Sequence, residues 1–296
     1  MSAPVWRSLL YVPAHVARFV AGAHRRGADC ILLDLEDSVP PGEKAGARRG
    51  VAAAAAAVRR GGADVMVRIN APLSLAVEDV QAAVGPDVDG LVVTKVRGPD
   101  HVRLLDELVG ECERRAGVAE GRSRLHLLIE TPEALAQAAA IAGASARVVA
   151  MSLGAEDFAT AIGAEPDGES LATARQMLVM VARAAGVMPL GLVGSIAGFD
   201  DPPGFAAMAV RSRRWGFEGA GCINPAQVPA LNAAFTPDAG EVARARAVIA
   251  ADAAAAAQGL GAVALDGRMI DAPIVRRAAL LLARHAAILA RDAGRG

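Results

Sequence analysis

Three carboxylates fall within four positions where an apolar run ends: Asp34, Glu36 and Asp37 in the stretch CILLDLEDSVP, residues 30–40. A solvated turn accounts for them, since acidic residues mark strand exits and Pro40 and Pro41 follow at once. A polyanionic site built around a cation accounts for them too. The same placement recurs along the chain, where further apolar runs end on Tyr11, on Arg68 and Asn70, on Lys95, on Glu130, on Glu156 and Asp157, on Ser195 and on Asn224. Carboxylates dominate the set. The five histidines, His15, His24, His101, His126 and His285, show neither HxH nor HExxH spacing, so zinc or iron lacks its usual ligands. Oxygen donors of this kind favour Mg²⁺, a hard ion that keeps several waters and is often held by only one or two carboxylates.

Each of these residues also has a plainer role open to it. Glu130, in IETPEA, precedes the helix that Pro132 starts, where the helix dipole favours negative charge. Asp157, in GAEDF, suits a loop or a helix cap. Arg68 is harder to set aside. In MVRIN it stands inside a strand between Val67 and Ile69, where an unpaired guanidinium is costly, so a carboxylate partner is expected and Glu36 on the adjacent strand is the natural candidate. Ser152, in AMSLG, superficially resembles a nucleophile elbow, but Ala150 stands where that motif needs glycine and only His285 follows it.

The elements that must position these residues are short apolar runs alternating with alanine-rich helical stretches. The runs cover residues 7–13, 29–37, 64–70, 90–96, 125–131, 146–154, 188–195 and 219–225. Eight βα units are what a closed (β/α)8 TIM barrel requires, with chemistry gathered at the C-terminal ends of the strands. An open doubly wound sheet is the alternative, but PAHVAR after the first run is not a glycine-rich phosphate loop. The run VAAAAAAV, residues 51–58, reads as a covering helix because alanine is the best helix former. The expected division is a barrel over 1–235 and a C-terminal extension over 236–296. The extension reads as a helix, a glycine-marked turn with the short apolar segment GAVALDG, and a closing helix from about Pro273.

Composition narrows the function classes. With 296 residues, 53% of them hydrophobic and 21% charged, the chain can bury a large core. A net charge of −1 argues against a nucleic-acid partner. No apolar run approaches the roughly 20 residues that span a bilayer, and the start MSAPVWRSLLYVP lacks a signal-peptide layout, so a cytoplasmic protein with no membrane partner is expected. Cys30, Cys112 and Cys222 are odd in number and far apart, which speaks against a disulfide framework or structural zinc.

From Arg7 to about Leu289 the chain resembles the citrate lyase β-subunit and malyl-CoA lyase group of the aldolase/citrate lyase family. RSLLYVP, LDLEDSVPPGEKAGAR, VRIN, IETPEAL, GAEDFATAIG, ARQ at 174–176, WGFEGAGCINPAQV and DGRMIDAP carry the resemblance. It implies a Mg²⁺-dependent lyase that cleaves a short 3-hydroxyacyl-CoA to acetyl-CoA and a 2-oxo acid. It also implies Glu130 and Asp157 as metal ligands, and Arg68 as the arginine that binds the keto-acid oxygen. Glu36 and Asp37 match residues that hold this arginine and the ion's waters, Tyr11 and Arg18 match substrate or CoA contacts, and Asp271 matches a lid acid/base entering an adjacent subunit. A homo-oligomer, trimer or hexamer, follows from the same resemblance. A citrate lyase β subunit acting on an acyl-carrier-protein thioester, a malyl-CoA thioesterase and a non-catalytic barrel subunit stay open. Asn224 in INP, the LVGSIAGFDD string and Arg97 depart from the family pattern and leave the acyl group open.

Overall fold

Parallel strands covered on both faces by side chains must be apolar on both, and the eight strands of this chain are nearly so. The computed structural model describes residues 4–196, 200–258, 263–265 and 267–294. It divides into two compact units, Met1–Phe235 and Thr236–Gly296. In the first unit the strands are β1 (Ser8–Pro13), β2 (Cys30–Asp34), β3 (Asp64–Ile69), β4 (Gly90–Val93), β5 (Arg124–Ile129), β6 (Val148–Leu153), β7 (Met188–Leu190) and β8 (Ala220–Cys222). All pair in parallel, in the order β7-β6-β5-β4-β3-β2-β1-β8. An isolated parallel bridge between Leu190 and Gly219 brings β7 to the β8 side, so the eight strands form a nearly closed α/β TIM barrel. This is the expected fold class, and the open sheet is set aside.

Between the strands lie α1 (Ala17–Ala23), α2 (Lys44–Arg59), α3 (Leu73–Ala83), α4 (Pro99–Ala116), α5 (Pro132–Ala136), α6 (Ala138–Ala142), α7 (Ala155–Ile162), α8 (Ala172–Ala184) and α9 (Pro202–Arg214), and α10 (Val228–Ala234) follows β8. The alanine run belongs to α2, which buries Ala47, Val51, Ala54, Ala55 and Val58 on one face. That spacing follows the helical repeat, and the small side chains let the helix lie close to the sheet.

Strand periodicity of two divides the first unit into two cores. Leu10, Val12, Ile31, Leu33, Val65 and Val67 point outward and pack with the helices. Leu9, Leu32, Met66, Val92, Leu128 and Ala150 point inward and fill the barrel. The same parity turns Tyr11, Asp34, Arg68 and Glu130 toward the interior, one or two steps nearer the C-terminal mouth. Several strands are shorter than their apolar runs. The run at 29–37 ends as a strand at Asp34, and that at 188–195 ends at Leu190.

In the second unit, α11 (Ala239–Ala257) begins with a capping box in which Asp238 accepts from the Glu241 N–H at 2.7 Å and Glu241 accepts from the Asp238 N–H at 2.9 Å. The expected apolar segment is one arm of an antiparallel hairpin, β9 (Val263–Leu265) and β10 (Arg268–Ile270), turning at Gly267 with φ 74°. Gly261, Ala262 and Asp266 of that stretch lie outside the described residues. The closing helix α12 (Ala272–Ala293) starts after Asp271, one residue earlier than Pro273.

Candidate active site

The strand registers decide which side chains meet. Asp34 and Arg68 are direct partners across β2 and β3, both facing inward. Arg68 donates from Nε to Asp34 Oδ1 at 2.7 Å and from Nη2 to Asp34 Oδ2 at 2.6 Å, a bidentate fork. Its Nη1 stands 2.9 Å from Glu36 Oε2 and 3.6 Å from Asp37 Oδ2, and its guanidinium lies 5.1 Å from the centre of the Tyr11 ring. The expectation of a carboxylate partner holds, and Glu36 is one of the partners. The principal partner is Asp34, whose side chain is 1% exposed.

Chain geometry after β2 fixes this arrangement. Asp34 also accepts from the Glu36 N–H at 2.9 Å and from the Ser38 hydroxyl at 2.5 Å, which turns the backbone sharply. Lys44 then clamps the turn, donating to the carbonyls of Leu35 and Glu36 at 3.1 and 2.8 Å and to Asn70 Oδ1 at 2.6 Å.

Lys95 follows β4 with φ 49°, the non-glycine residue at positive φ among those described. Holding a lysine there costs about 1–3 kcal/mol, so the surroundings must enforce it. They do so at both ends of the residue. Its backbone N–H donates to Glu130 Oε2, and its Nζ lies 2.8 Å from Glu36, 3.9 Å from Asp37 and 3.5 Å from Asp157. Gly154 packs against the other side of Glu130. A Cβ at position 154 would come 2.4 Å from Glu130 Cγ, so only glycine lets the turn into α7 pass there.

Five carboxylates therefore surround two cations, and the titration of the site reflects the imbalance. Burial raises the Glu130 carboxyl; the Lys95 amide opposes this, the charges of Asp157 and Glu36 add to it, and the result is about 7. Burial likewise raises Glu36 against the pull of Lys95 and Arg68. Asp34 goes the other way. Burial alone would raise it, but the hydrogen bonds and charge of Arg68, with Ser38 and the Glu36 amide, hold it below the usual carboxylate range. Glu36 Oε2, although near Arg68, receives no aligned hydrogen bond.

Excess negative charge, oxygen donors and an unsatisfied buried acceptor suit a hydrated divalent cation, and the residues present fit Mg²⁺. Among the described residues no three His, Cys, Asp or Glu side chains form a ready cage. An ion here would draw its remaining donors from water and substrate, as Mg²⁺ commonly does.

Asp34, Asp37, Arg68, Glu130 and Asp157 line a cavity of about 690 Å³ at the C-terminal mouth, a size suited to a small-molecule substrate. At its side toward α1 stand Arg18 and Phe19, both exposed, the guanidinium 4.8 Å from the ring centre. Burial pushes the Tyr11 hydroxyl up to about 12. Deeper in, Leu9, Leu32, Leu128 and Leu190 surround a polar pair in which His126 Nε2 lies 2.8 Å from Ser152 Oγ. The Ser–His contact arises from a histidine earlier in the chain than the serine, which the sequence reading did not find. Burial lowers His126 to about 3, so it is a weak base and does not make Ser152 a nucleophile.

The first unit thus brings Tyr11, Arg18, Arg68, Asp37, Glu130 and Asp157 to one cavity and sets Glu36 against it through Arg68 and Lys95. Asp271 belongs to the second unit, where it caps α12 by accepting from the Ile274 N–H at 3.4 Å. Asn224 caps the turn at Pro225–Gln227, accepting from the Ala226 N–H at 3.0 Å. Among the described residues no helix is long and apolar enough to cross a membrane.

The family model for HpcH/HpaI aldolase/citrate lyase matches residues 7–225. The citrate lyase subunit beta of Escherichia coli (strain K12) is 36% identical over 281 residues, 94% of this chain and 92% of that protein. An L-malyl-CoA/beta-methylmalyl-CoA lyase of Rhodobacter capsulatus is 34% identical over 278 residues, 86% of each chain. Among solved structures, CitE from Mycobacterium tuberculosis in complex with magnesium, acetoacetate and coenzyme A superposes with a TM-score of 0.73 at 27% identity, covering 96% of this chain and 99% of that one.

Proposed function

We infer a function from one premise: the chain belongs to the HpcH/HpaI aldolase/citrate lyase family, and is a lyase. The reading proposed is a Mg²⁺-dependent carbon–carbon lyase that cleaves a short 3-hydroxyacyl-CoA, of malyl-CoA or citramalyl-CoA type, to acetyl-CoA and a 2-oxo acid. The observation that carries it is the ring of Asp34, Glu36, Asp37, Glu130 and Asp157 around Arg68 and Lys95. The magnesium, acetoacetate and coenzyme A bound to the CitE neighbour, and the likeness to the L-malyl-CoA/beta-methylmalyl-CoA lyase of R. capsulatus, support it.

In this reading Glu130 and Asp157 hold Mg²⁺, which when bound supplies Lewis acidity toward the carboxylate and adjacent oxygen of the acid half. In cleavage, the hydroxyl at C3 gives up its proton to solvent and its oxygen becomes the carbonyl of the 2-oxo acid. The C2–C3 bond breaks and its electron pair passes into the thioester as an enolate, which then takes a proton on carbon. Arg68 stabilises charge on the C3 oxygen. Asp34 takes two of its five N–H donors, so donors remain on Nη1 and Nη2 for that oxygen. Glu36 and Asp37 keep Arg68 and Lys95 in place, and Tyr11 supports the guanidinium from below. Arg18 contributes charge for the CoA phosphates. Asp271, supplied by a neighbouring copy in a homo-oligomer, delivers the proton to carbon.

The test is acetyl-CoA release from malyl-, citramalyl- and citryl-CoA, with Mg²⁺ and with EDTA. Release that needs Mg²⁺ and disappears in Glu130→Ala is expected; undiminished release in EDTA sinks the reading. The E. coli relative's name favours a second one, a citrate lyase β subunit. Activity on an acyl-carrier-protein thioester alone would select it.

A further inference from the structure

Three arginines are buried in the described structure: Arg7, Arg147 and Arg175. Two of them follow the rule that a buried guanidinium is paired. Arg7 binds Asp29 through Nε at 2.8 Å and Nη2 at 3.0 Å, and Arg147 binds Glu113 through Nη1 at 2.9 Å and Nη2 at 2.7 Å. Arg175 is the most deeply buried, at 2% exposure, and among the described residues forms no ion pair with a carboxylate, feeling only the more distant charge of Asp167. Its Nη1 donates to the backbone carbonyl of Asp167 at 2.6 Å, and its Nη2 is buried without a partner. The Asp167 carboxylate is engaged elsewhere, accepting from the N–H groups of Ser170 at 2.7 Å and Glu169 at 2.9 Å.

Helical spacing sharpens the anomaly. Arg175 shares a face of α8 with Leu178, Val179 and Ala182, all buried, so it occupies a position where the pattern calls for an apolar residue. Unlike Arg7 and Arg147, it lines the main cavity, together with Gly154, Leu192 and Ser195. A desolvated cation open to a substrate cavity is paired when the substrate brings the anion.

We propose that Arg175 is a second anion site of this cavity and binds the distal carboxylate of a 2-oxo dicarboxylate, or of the acyl thioester that yields one. The proposal rests on the reading of the cavity as a 2-oxo acid site, and within it selects a citryl thioester, which yields oxaloacetate, over malyl- and citramalyl-CoA, whose 2-oxo acids are monocarboxylates. There the carboxylate next to the keto group goes to the ion and the keto oxygen to Arg68, so a 2-oxo monocarboxylate leaves Arg175 unpaired. A phosphate of CoA is the other anion at hand, but it is bulky and strongly hydrated, and the exposed Arg18 and Arg26 suit it. The enclosed Arg175 suits a compact group that sheds its water, and its planar fork matches a carboxylate.

The test is calorimetric titration of the full chain, in saturating Mg²⁺, with freshly prepared oxaloacetate, with pyruvate and with CoA. The wild type should bind oxaloacetate about tenfold to a hundredfold more tightly than pyruvate, the range for a charge-assisted hydrogen bond to a buried group. In Arg175→Gln that margin should vanish while pyruvate and CoA affinities move less than threefold, and Arg175→Lys should recover part of it. Equal wild-type affinity for the two acids, or equal losses for both in Arg175→Gln, overturns the proposal. A selective loss of CoA affinity overturns it in favour of phosphate. If Arg175→Gln does not fold, the wild-type ratio and the lysine variant still decide. Failure of the wild type to bind either acid would instead overturn the reading of the site itself.

Discussion

Replacing Arg68 by lysine separates holding a charge from holding a geometry. The guanidinium makes two charge-assisted hydrogen bonds to Asp34 and an ion pair to Glu36, with a side chain 13% exposed. An ammonium keeps the charge but not the fork. It satisfies Asp34 or Glu36 at one point, losing one charge-assisted bond worth about 1.5–3 kcal/mol. For a barrel of this size that is a fall in Tm of roughly 3–12 °C. The kinetic loss should be larger in kind. Donors aimed at a developing oxyanion contribute on the order of 10²–10³ in rate, and a lysine anchored to Asp34 cannot aim a second donor at the C3 oxygen. We expect kcat to fall about 10²-fold or more while the barrel remains folded, measured by acetyl-CoA release alongside thermal unfolding. A lowered Tm with unchanged kcat would show that Arg68 only ties β2 to β3. Unchanged values of both would refute the fork itself.

The other predictions bear on the groups around it. Gly154→Ala should displace Glu130, because the new Cβ would lie 2.4 Å from Glu130 Cγ; Mg²⁺ affinity by titration should drop about tenfold or more while the circular dichroism spectrum stays that of the wild type. His126 gives a pH signature, since its pKa falls from 6.5 to about 3 in the fold. Between those values the unfolded chain binds a proton that the native chain refuses, so stability falls as pH falls. The loss is about 1.4 kcal/mol per unit, or about 2 kcal/mol at pH 5. His126→Gln should remove that slope from denaturant curves, and parallel curves for the two proteins between pH 5 and 7 would contradict it. Mixing Asp271→Ala with Arg68→Ala, each nearly inactive alone, should restore part of the activity after subunit exchange. Mixed oligomers without recovery would exclude a shared site.

The eight strands could be read from the sequence because a parallel strand buried on both faces is a continuous apolar run, and the helices between them carry the 3.6-residue pattern. Strand ends were less legible. The run at 29–37 looks like one element, yet Asp34 uses its carboxylate to turn the chain at Glu36 and Ser38. That turn is also why Glu36 was preferred over Asp34 as the partner of Arg68. An arginine within a strand advertises that it needs a carboxylate, but which one depends on the β2–β3 register, which is a property of two strands together. Lys95 was visible as a strand-end residue without a role, since nothing local signals its positive φ. The His126–Ser152 contact depends on pairing between β5 and β6, where the register shifts near Leu125 and His126. Arg175 stood in a recognised motif, and only the packing of α8 reveals that its guanidinium is buried without an ion pair.

The order of strands around the ring has a consequence for the chain as it is made. Leu9 pairs on one side with Cys30 of β2 and on the other with Gly221, Ser8 pairs with Ala220, and the Ser8 hydroxyl donates to Asn232 Oδ1 at 2.7 Å. The earliest strand therefore waits for nearly the last one. Until residues 220–222 leave the ribosome, β1 presents one unpaired edge of backbone donors and acceptors to solvent, and such edges recruit other strands. This favours late closure, with nascent chains most prone to cross-pairing and to chaperone capture when seven strands are out and the eighth is not. Synonymous codons that slow translation just before β8 would lengthen that window, and faster ones would shorten it, with the folded barrel unchanged.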